Sequence, residues 1–502
     1  MGESLVKEGI YNLLRKVIEK TGGIILTIAL ARLLLPELFG LYSLIITITL
    51  FVLTFTDLGL SQTVTRYLAN SLARKKKKEA AAYFRYLAKI KIILIMITTS
   101  LLIILSKFLS ESVFHKPIIF IPLIVSATYL VTYPLAGLFN PLFYIRKQVK
   151  KAAINEFFYQ IIRVSLAITA VLIFEGTMKI TGVVLALSIA GLAFTLYPYY
   201  FTRKNYPFLL KKAKIKADKK KKVLKFASFM TLSSTGLVLM ASIDILILGA
   251  FVGGEHIGFY RAAMSLIGSL AAFLNLSAIL LPVFSSSNKK EIKRVLKKTI
   301  RYETILLIPI IIGLLFFGKE TIILLFGKEY LGAATVLLIL SPLVLIEPIK
   351  NTILSFFNGI EKSKISAKLI ITIGILNIIL NFTLIKLLSP YGDGYSIIGA
   401  AIATLLSNLI FIIMATVNFK KEMPKIKLRN SLKHINGPIL SGVIMAGTTY
   451  IFLYFTNFQG IIKITAVPFS ICMYLIGLYL TKSLGLKEIK ELKRAIFKKT
   501  RG

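Results

Sequence analysis

The sequence has no tryptophan, one cysteine and three histidines, and its 63 Lys and Arg face only 22 Asp and Glu. Each shortage excludes something. The single Cys472 rules out an intramolecular disulfide and any cysteine-rich metal site and reads as a small packed side chain. His115, His256 and His434 are scattered without metal-ligand spacing, so they read as ordinary loop residues and no metal is expected. With tryptophan missing, tyrosines such as Tyr42, Tyr129, Tyr133, Tyr197 and Tyr260 are left to form the aromatic belt at a membrane interface. The segments between apolar runs are short, and those on the less basic side are poor in acid. A membrane enzyme that handles metal and sugar in a large external acidic loop is therefore disfavoured.

What is abundant is apolar residues, 56% of the 502, with a mean hydropathy of +0.78. An ordinary soluble domain has about 45–50%. A formal net charge of +41 would suggest nucleic acid in a soluble protein. Here the basic residues lie in short clusters between apolar runs, so they hold loops on the cytoplasmic side, and no nucleic-acid partner is expected. About 20 apolar residues are needed per helical crossing of a core about 30 Å thick. Crossings are expected near 12–35, 41–62, 86–108, 117–140, 154–175, 180–202, 225–250, 257–284, 300–318, 332–357, 366–388, 396–418, 432–455 and 460–483. If the N-terminus is cytoplasmic, the inside segments carry 52 Lys and Arg and the outside segments 9. Arg163 and Lys350 fall within crossings. That split respects every alternation, as the positive-inside rule requires of fourteen helices with both termini inside. Met1 to Lys20 lack the basic, apolar, small-residue order of a cleaved signal, so the first helix is expected to stay. The chain is thus an all-α, multi-pass protein of the cell membrane.

The longest basic linker, with Lys219 to Lys222 in a row, separates helices 6 and 7. Around it runs an internal echo: Glu37-Leu-Phe-Gly40-Leu-Tyr42 after helix 1 returns, at one constant offset, as Glu255-His-Ile-Gly258-Phe-Tyr260 after helix 7. A shift that maps helix 1 onto helix 7 preserves orientation, so the repeat is parallel. The expected organisation is a first lobe over 1–204 with helices 1–6 and a basic cytoplasmic linker over 205–224. A second lobe follows over 225–419 with helices 7–12, then helices 13 and 14 with a basic tail over 420–502.

These residues resemble a family. Ala31 to Leu44 (ARLLLPELFGLYSL), Gly59-Leu60 and Arg66 look like the opening signature of the polysaccharide flippases of the multidrug, oligosaccharidyl-lipid and polysaccharide exporter superfamily. Asp244 with Leu248-Gly249, IGFYRAA (Ile257 to Ala263) and LLPVFS (Leu280 to Ser285) resemble its helix 7 and 8 pattern. FNGIEK (Phe357 to Lys362), LNIILN (Leu376 to Asn381), Tyr391-Gly392 and GAAIAT (Gly399 to Thr404) resemble helices 10–12. Singly the motifs are weak; their shared order is strong. The resemblance implies two six-helix lobes around a central cavity that alternates in access and moves a polyprenyl-linked sugar across the membrane. It implies a lipid-linked glycan as substrate, membrane lipids and glycan assembly enzymes as partners, and no catalytic residues.

Ionisable groups inside a bilayer are costly and default to function. Arg32 ends helix 1, where it either snorkels or touches substrate. Arg163, half-way along helix 5, either lines the cavity or pairs with Glu156. Arg261 opens helix 8 beside Tyr260, and Lys350 stands three residues from Glu347, close enough to neutralise it on one helix face. These four cations are the candidate substrate-binding set, because a phosphate in a low-dielectric cavity needs fixed positive charge and Arg binds it bidentately. Asp57, Asp244 and Glu347 are the candidates for gating or for H⁺ or Na⁺ coupling. No other cofactor is expected. Asn275, Asn377, Asn381 and Asn408 suit hydrogen bonds between helices. A drug or cation antiporter of the same superfamily is the nearest rival, but it needs acids facing its substrate and the candidates here are mostly basic. A non-transporting scaffold is disfavoured by the buried charges.

Overall fold

In the computed structural model, residues 2–211, 213–273, 280, 284–285, 289–423, 428–455 and 462–483 are described. Asn275, the middle half of the Leu280 to Ser285 motif (281–283) and the basic tail from 484 onward lie outside them. The described residues are helical and contain no strand, the form a spanning chain must take when lipid offers its backbone no partners.

The first helix, α1 (Gly2–Asp57), is 56 residues long. At a rise of about 1.5 Å per residue it far exceeds one crossing. It is broken at Leu35, whose φ of 61° is unusual for a branched side chain, and the following Pro36 lacks the N–H a continuing helix needs. The first two expected crossings meet there. Next come α2 (Leu60–Ala73) and α3 (Lys77–Phe108). The fourth crossing is divided into α4 (Phe120–Thr132), α5 (Ala136–Phe139) and α6 (Pro141–Ile145), with Pro134 and Pro141 at the breaks. Then follow α7 (Val149–Ile173), α8 (Met178–Asn205), α9 (Ala217–Phe251) and α10 (Gly254–Phe273). The helix α9 starts inside the expected linker. After α11 (Lys289–Phe326), the tenth crossing is a pair, α12 (Ala333–Leu340) and α13 (Leu343–Gly359), bent by 42°. The chain continues through α14 (Ser363–Leu388), α15 (Asp393–Glu422), α16 (Leu428–Phe455) and α17 (Ile462–Leu480).

Among the described residues nine helical stretches are long and apolar enough to cross a membrane, ten if the bent pair is one span, and one of the nine, Lys7–Ala73, has the length of two crossings. Each of the fourteen expected crossings overlaps a helix named above, with 274–279 and 281–283 of the eighth and 460–461 of the last outside the described residues, and Ser242–Phe251 and Thr465–Leu480 are shorter apolar pieces. The chain is a multi-pass membrane protein.

It forms two compact units. The first comprises residues 1–269, 322–336 and 370–404. Within it α7 lies along α1 and α8, and α8 packs on α4. A core beside the basic linker gathers Leu60, Val64, Leu68, Phe84, Leu87, Phe143 and Leu209. The second unit comprises 270–321, 337–369 and 405–502. In it α16 and α17 pair and settle on α11 through Ile305, Ile312, Met445, Tyr474 and Leu478, and the Tyr474 hydroxyl donates to the Ile305 carbonyl at 2.8 Å.

The echoed segments meet each other within the first unit. A Cβ at Gly40 would stand 1.8 Å from the Gly254 carbonyl oxygen, and one at Gly258 would stand 2.2 Å from that of Pro36. The contact is reciprocal under the shift that relates the two segments, which carries Pro36 to Gly254 and Gly40 to Gly258. Two backbones touch where no side chain fits. Nearby, the Lys116 ammonium donates to the Gly249 carbonyl at 2.7 Å, and burial pushes this lysine below its ordinary range.

Two expectations need correcting. Tyr42, Tyr129 and Tyr260 are buried rather than placed in an interfacial belt, because each lies on the packed face of its helix; Tyr197 is exposed as a belt residue would be. Cys472 is exposed on α17 rather than packed.

Candidate functional site

A cavity of about 660 Å³ opens within the first unit, lined by polar Thr54, Asp57, Ser61, Lys91, Asn140 and Arg261 and by the rings of Tyr133 and Phe194. Its charged end is made by a helix break. Leu58 and Gly59 take φ of 39° and 70°, which ends α1 and starts α2. Asp57, the last residue of α1, is left at the cavity. Its Oδ1 accepts from the Ser61 hydroxyl at 2.6 Å and from the Lys91 ammonium. The lysine side chain is 1% exposed and the carboxylate 31%, so the anion faces the cavity and the cation stands behind it. A Cβ on Gly137 would come within 2.9 Å of the Lys91 ammonium and 2.5 Å of the Ser61 hydroxyl, so a larger residue there would push both side chains aside. Asp57 and Lys91 neutralise each other. Arg261, on α10, also lines the cavity, and among the described residues its guanidinium has neither hydrogen bond nor ion pair.

The aromatic wall is a set of packed rings. Tyr133 stacks on Tyr129 with centroids 5.1 Å apart and on Phe194 at 5.8 Å, while Phe194 contacts Tyr159 at 4.6 Å. Tyr133 is thus stacked on two neighbouring rings while also lining the cavity.

Arg163 belongs to a chain of contacts between α1 and α7. Its Nη2 donates to Gln160 Oε1 at 2.6 Å and its guanidinium lies 5.3 Å from the centre of the Tyr159 ring. Gln160 Nε2 donates to Glu156 at 2.7 Å, and Glu156 pairs with Arg15 at 3.2 Å. The direct pairing of Arg163 with Glu156 is thus replaced by a relay through Gln160, with Arg15 taking the acid. Arg32 is exposed; its Nε donates to the Leu325 carbonyl at 2.8 Å and its Nη2 to that of Leu324. It covers the last turn of α11, where carbonyls lack helical partners and favour a cation. Lys350, in the second unit, bonds to Glu347 and to Asn408 Oδ1 at 2.9 Å. That is the self-neutralising arrangement its spacing allows.

Asp244 is buried in the first unit with a different set of partners. It accepts from Tyr260 Oη at 2.7 Å, Thr404 Oγ1 at 2.8 Å and Asn381 Nδ2 at 2.8 Å. Four helices, α9, α10, α14 and α15, are joined at one carboxylate by neutral donors. Asn381 and Asn408 do bond across helices, as expected of intramembrane asparagines.

Two buried charges escaped the sequence reading. Lys91 stands at the start of an apolar run on α3, two residues after Lys89. Glu303, on α11 in the second unit, is 1% exposed. Its Oε1 accepts from Thr352 at 3.0 Å and its Oε2 has no hydrogen-bond partner among the described residues. The available signal was an acid leading directly into an apolar stretch from Thr304 to Phe317.

With this geometry in hand, comparison with known proteins is decisive. Residues 5–288 match the family described as polysaccharide biosynthesis protein, and residues 208–468 match the family of the lipid II flippase MurJ. The chain belongs to the flippases of the multidrug/oligosaccharidyl-lipid/polysaccharide exporter superfamily. The flippase chain is 27% identical over 244 residues to a probable low-salt glycan biosynthesis flippase, Agl15 of Haloferax volcanii; the match covers 48% of the chain and 50% of that relative. It thus spans about half the length of Agl15. It is 23% identical over 388 residues to an uncharacterized membrane protein of Methanocaldococcus jannaschii, covering 74% of the chain and 75% of the relative. In fold it is similar to the lipid II flippase MurJ in an inward closed conformation, with a TM-score of 0.75 at 14% identity over 94% of this chain and 98% of that one. An inward-facing multidrug transporter of the same superfamily gives 0.61 at 15% identity, over 82% and 98%.

Proposed function

We propose that this flippase moves a glycan linked to a polyprenyl phosphate or diphosphate from the cytoplasmic to the outer leaflet by alternating access, with both termini cytoplasmic. The observation that carries the proposal is the Arg261 guanidinium, without hydrogen bond or ion pair among the described residues, at a cavity whose other charges, Asp57 and Lys91, cancel. The cavity's net charge is positive, which suits a phosphate and repels the cationic substrate of a drug antiporter. Arg261 can offer two parallel N–H donors to phosphate oxygens. The glycan would occupy the polar cavity while the lipid tail stays in the bilayer. The glycan biosynthesis role in the description of Agl15 supports the same substrate class, and glycan assembly enzymes are the expected source of that substrate.

Moving a negative charge outward down an inside-negative potential releases about 2.3 kcal/mol per charge per 100 mV. Coupling to an ion is therefore not required. A second reading, coupling to H⁺ or Na⁺, draws on Asp244: a carboxylate held by neutral donors has its negative charge unbalanced and would be satisfied by a proton or a small cation.

In reconstituted liposomes the protein should move a fluorescent polyprenyl-diphosphate sugar between leaflets without nucleotide. No acceleration over empty liposomes, together with efflux of cationic dyes, would instead identify an antiporter.

A further inference from the structure

Outside the cavity, the first unit carries a second concavity of about 800 Å³ between α3 and the basic linker. Four cations line it, Arg85, Lys89, Lys214 and Lys220, and among the described residues no acid does. A charge excess in this part of the chain is expected from topology alone, so the placement is what matters. Arg85 is fixed in position: its Nε donates to the Lys211 carbonyl at 3.0 Å and its Nη2 to that of Leu210. Lys220 lies 5.8 Å from the centre of the Tyr86 ring, which also lines the concavity. Lys89 and Lys214 are exposed and have neither hydrogen bond nor ion pair among the described residues. Further along α3 the same concavity is continued by Ile92, Ile93 and Met96, which are 47%, 39% and 56% exposed. A cationic bowl at the edge of an apolar, lipid-facing strip is amphipathic in the same sense as an anionic lipid. Soluble anions would use only its upper half.

We propose that this concavity is a binding site for the phosphate headgroup of an anionic membrane phospholipid, with its acyl chain lying along Ile92, Ile93 and Met96. The headgroup is drawn by lysines near the membrane surface, each of which strengthens the attraction, and the tail by apolar surface that already faces lipid. Because the site joins α3 to the linker that leads into α9, a bound lipid would fasten the linker against the first unit. This site is separate from the cavity, so it stands or falls independently of what the cavity transports.

The test is binding of a short-chain phosphatidylglycerol to the full-length protein in detergent, read by native mass spectrometry and by thermal stabilisation. Phosphatidylcholine and inorganic phosphate serve as comparison probes. Replacing three lining lysines together (Lys89→Ala, Lys214→Ala, Lys220→Ala) should weaken phosphatidylglycerol binding on the order of 100-fold. The variant Lys75→Ala, Lys78→Ala, Lys147→Ala removes the same charge from exposed positions outside the concavity and should bind within about twofold of the parent, as expected when screened charges lie off the site. Ile93→Asn should weaken the lipid while leaving inorganic phosphate unchanged. Equal losses in both triple variants would show a diffuse surface field and overturn the site, as would unchanged binding in the lining variant. Inorganic phosphate binding as tightly as the lipid would overturn the acyl-chain half of the proposal.

Discussion

Asp57 and Asp244 sit in the same compact unit, yet their carboxylates are satisfied in opposite ways. Asp57 faces a cavity and is neutralised by a lysine behind it. Asp244 is 5% exposed and is held by a phenol, an alcohol and an amide, with no cation among these partners. An ion pair at a polar cavity presents a surface with no net charge and makes the neighbouring Arg261 the dominant field there. A carboxylate in a cage of neutral donors has no cation among those partners and ties four helices to one point. The same residue type therefore tunes a surface in one place and fastens a junction in the other.

The contrast sharpens into experiments. The largest effect is expected from Arg261→Ala, which removes the uncompensated charge of the cavity: transport of a lipid-linked glycan should fall by about 100-fold or more, equivalent to losing a charge-assisted pair worth about 3 kcal/mol. Arg261→Lys should recover part of that, because charge returns without the bidentate geometry. Next, Lys91→Met strands Asp57, and chemical denaturation should show a loss of about 2–3 kcal/mol, the partly exposed carboxylate keeping it below the fully buried case. Adding Asp57→Asn should restore most of it. If the double variant is no better than the single one, the pair is not the reason Lys91 matters. For Asp244→Ala, three donors lose their acceptor, and a destabilisation of about 2 kcal/mol is expected in the same assay. Asp244→Asn should cost less, since its carbonyl still accepts.

The echoed turns offer a different kind of break. Gly40→Ala or Gly258→Ala places a methyl group within 2.2 Å of an opposing carbonyl oxygen, so the two segments must part. Cysteine crosslinking between α1 and α10 should fall in both variants by similar factors, because the contact is reciprocal. The smallest effect is expected for Glu347→Gln with Lys350→Met. This pair lies on one helix and cancels its own charge, and Lys350 gives up one further bond, to Asn408, so its removal should change stability by about 1 kcal/mol.

Most of the fold was legible because the bilayer imposes its own period: apolar stretches one membrane thickness long and basic clusters alternating in side. The crossings fall on helices, including those broken at Pro36, Pro134 and Pro342, where the sequence carried the break in plain view. The echo was visible as a repeat of spacing, but its physical meaning was not. That Gly40 and Gly258, far apart in the chain, serve to let backbones touch is a statement about a tertiary contact, and no local pattern encodes it. The site was legible in part. Asp57, Asp244 and Arg261 stood out as charges in apolar surroundings. Lys91 did not, because counting charge by loop assigns a lysine near a helix end to water, whereas α3 turns it inward onto Asp57. Glu303 was hidden for the same reason, at the edge between a basic run and an apolar one. Arg163 was recognised as deep, but its link to Glu156 runs through Gln160, a residue whose neutral side chain gave no signal.

The central claim is that the cavity of the first unit presents one uncompensated cation to an anionic lipid-linked substrate. It is tested most directly by titrating a fluorescent polyprenyl diphosphate against the purified protein and its Arg261→Ala and Arg32→Ala variants. The account predicts binding at least about tenfold weaker for Arg261→Ala, the loss of one charge-assisted contact. For Arg32→Ala, whose guanidinium is spent on the carbonyls of Leu324 and Leu325, it predicts little change. Unchanged affinity in Arg261→Ala, or an equal loss in both variants, would contradict it.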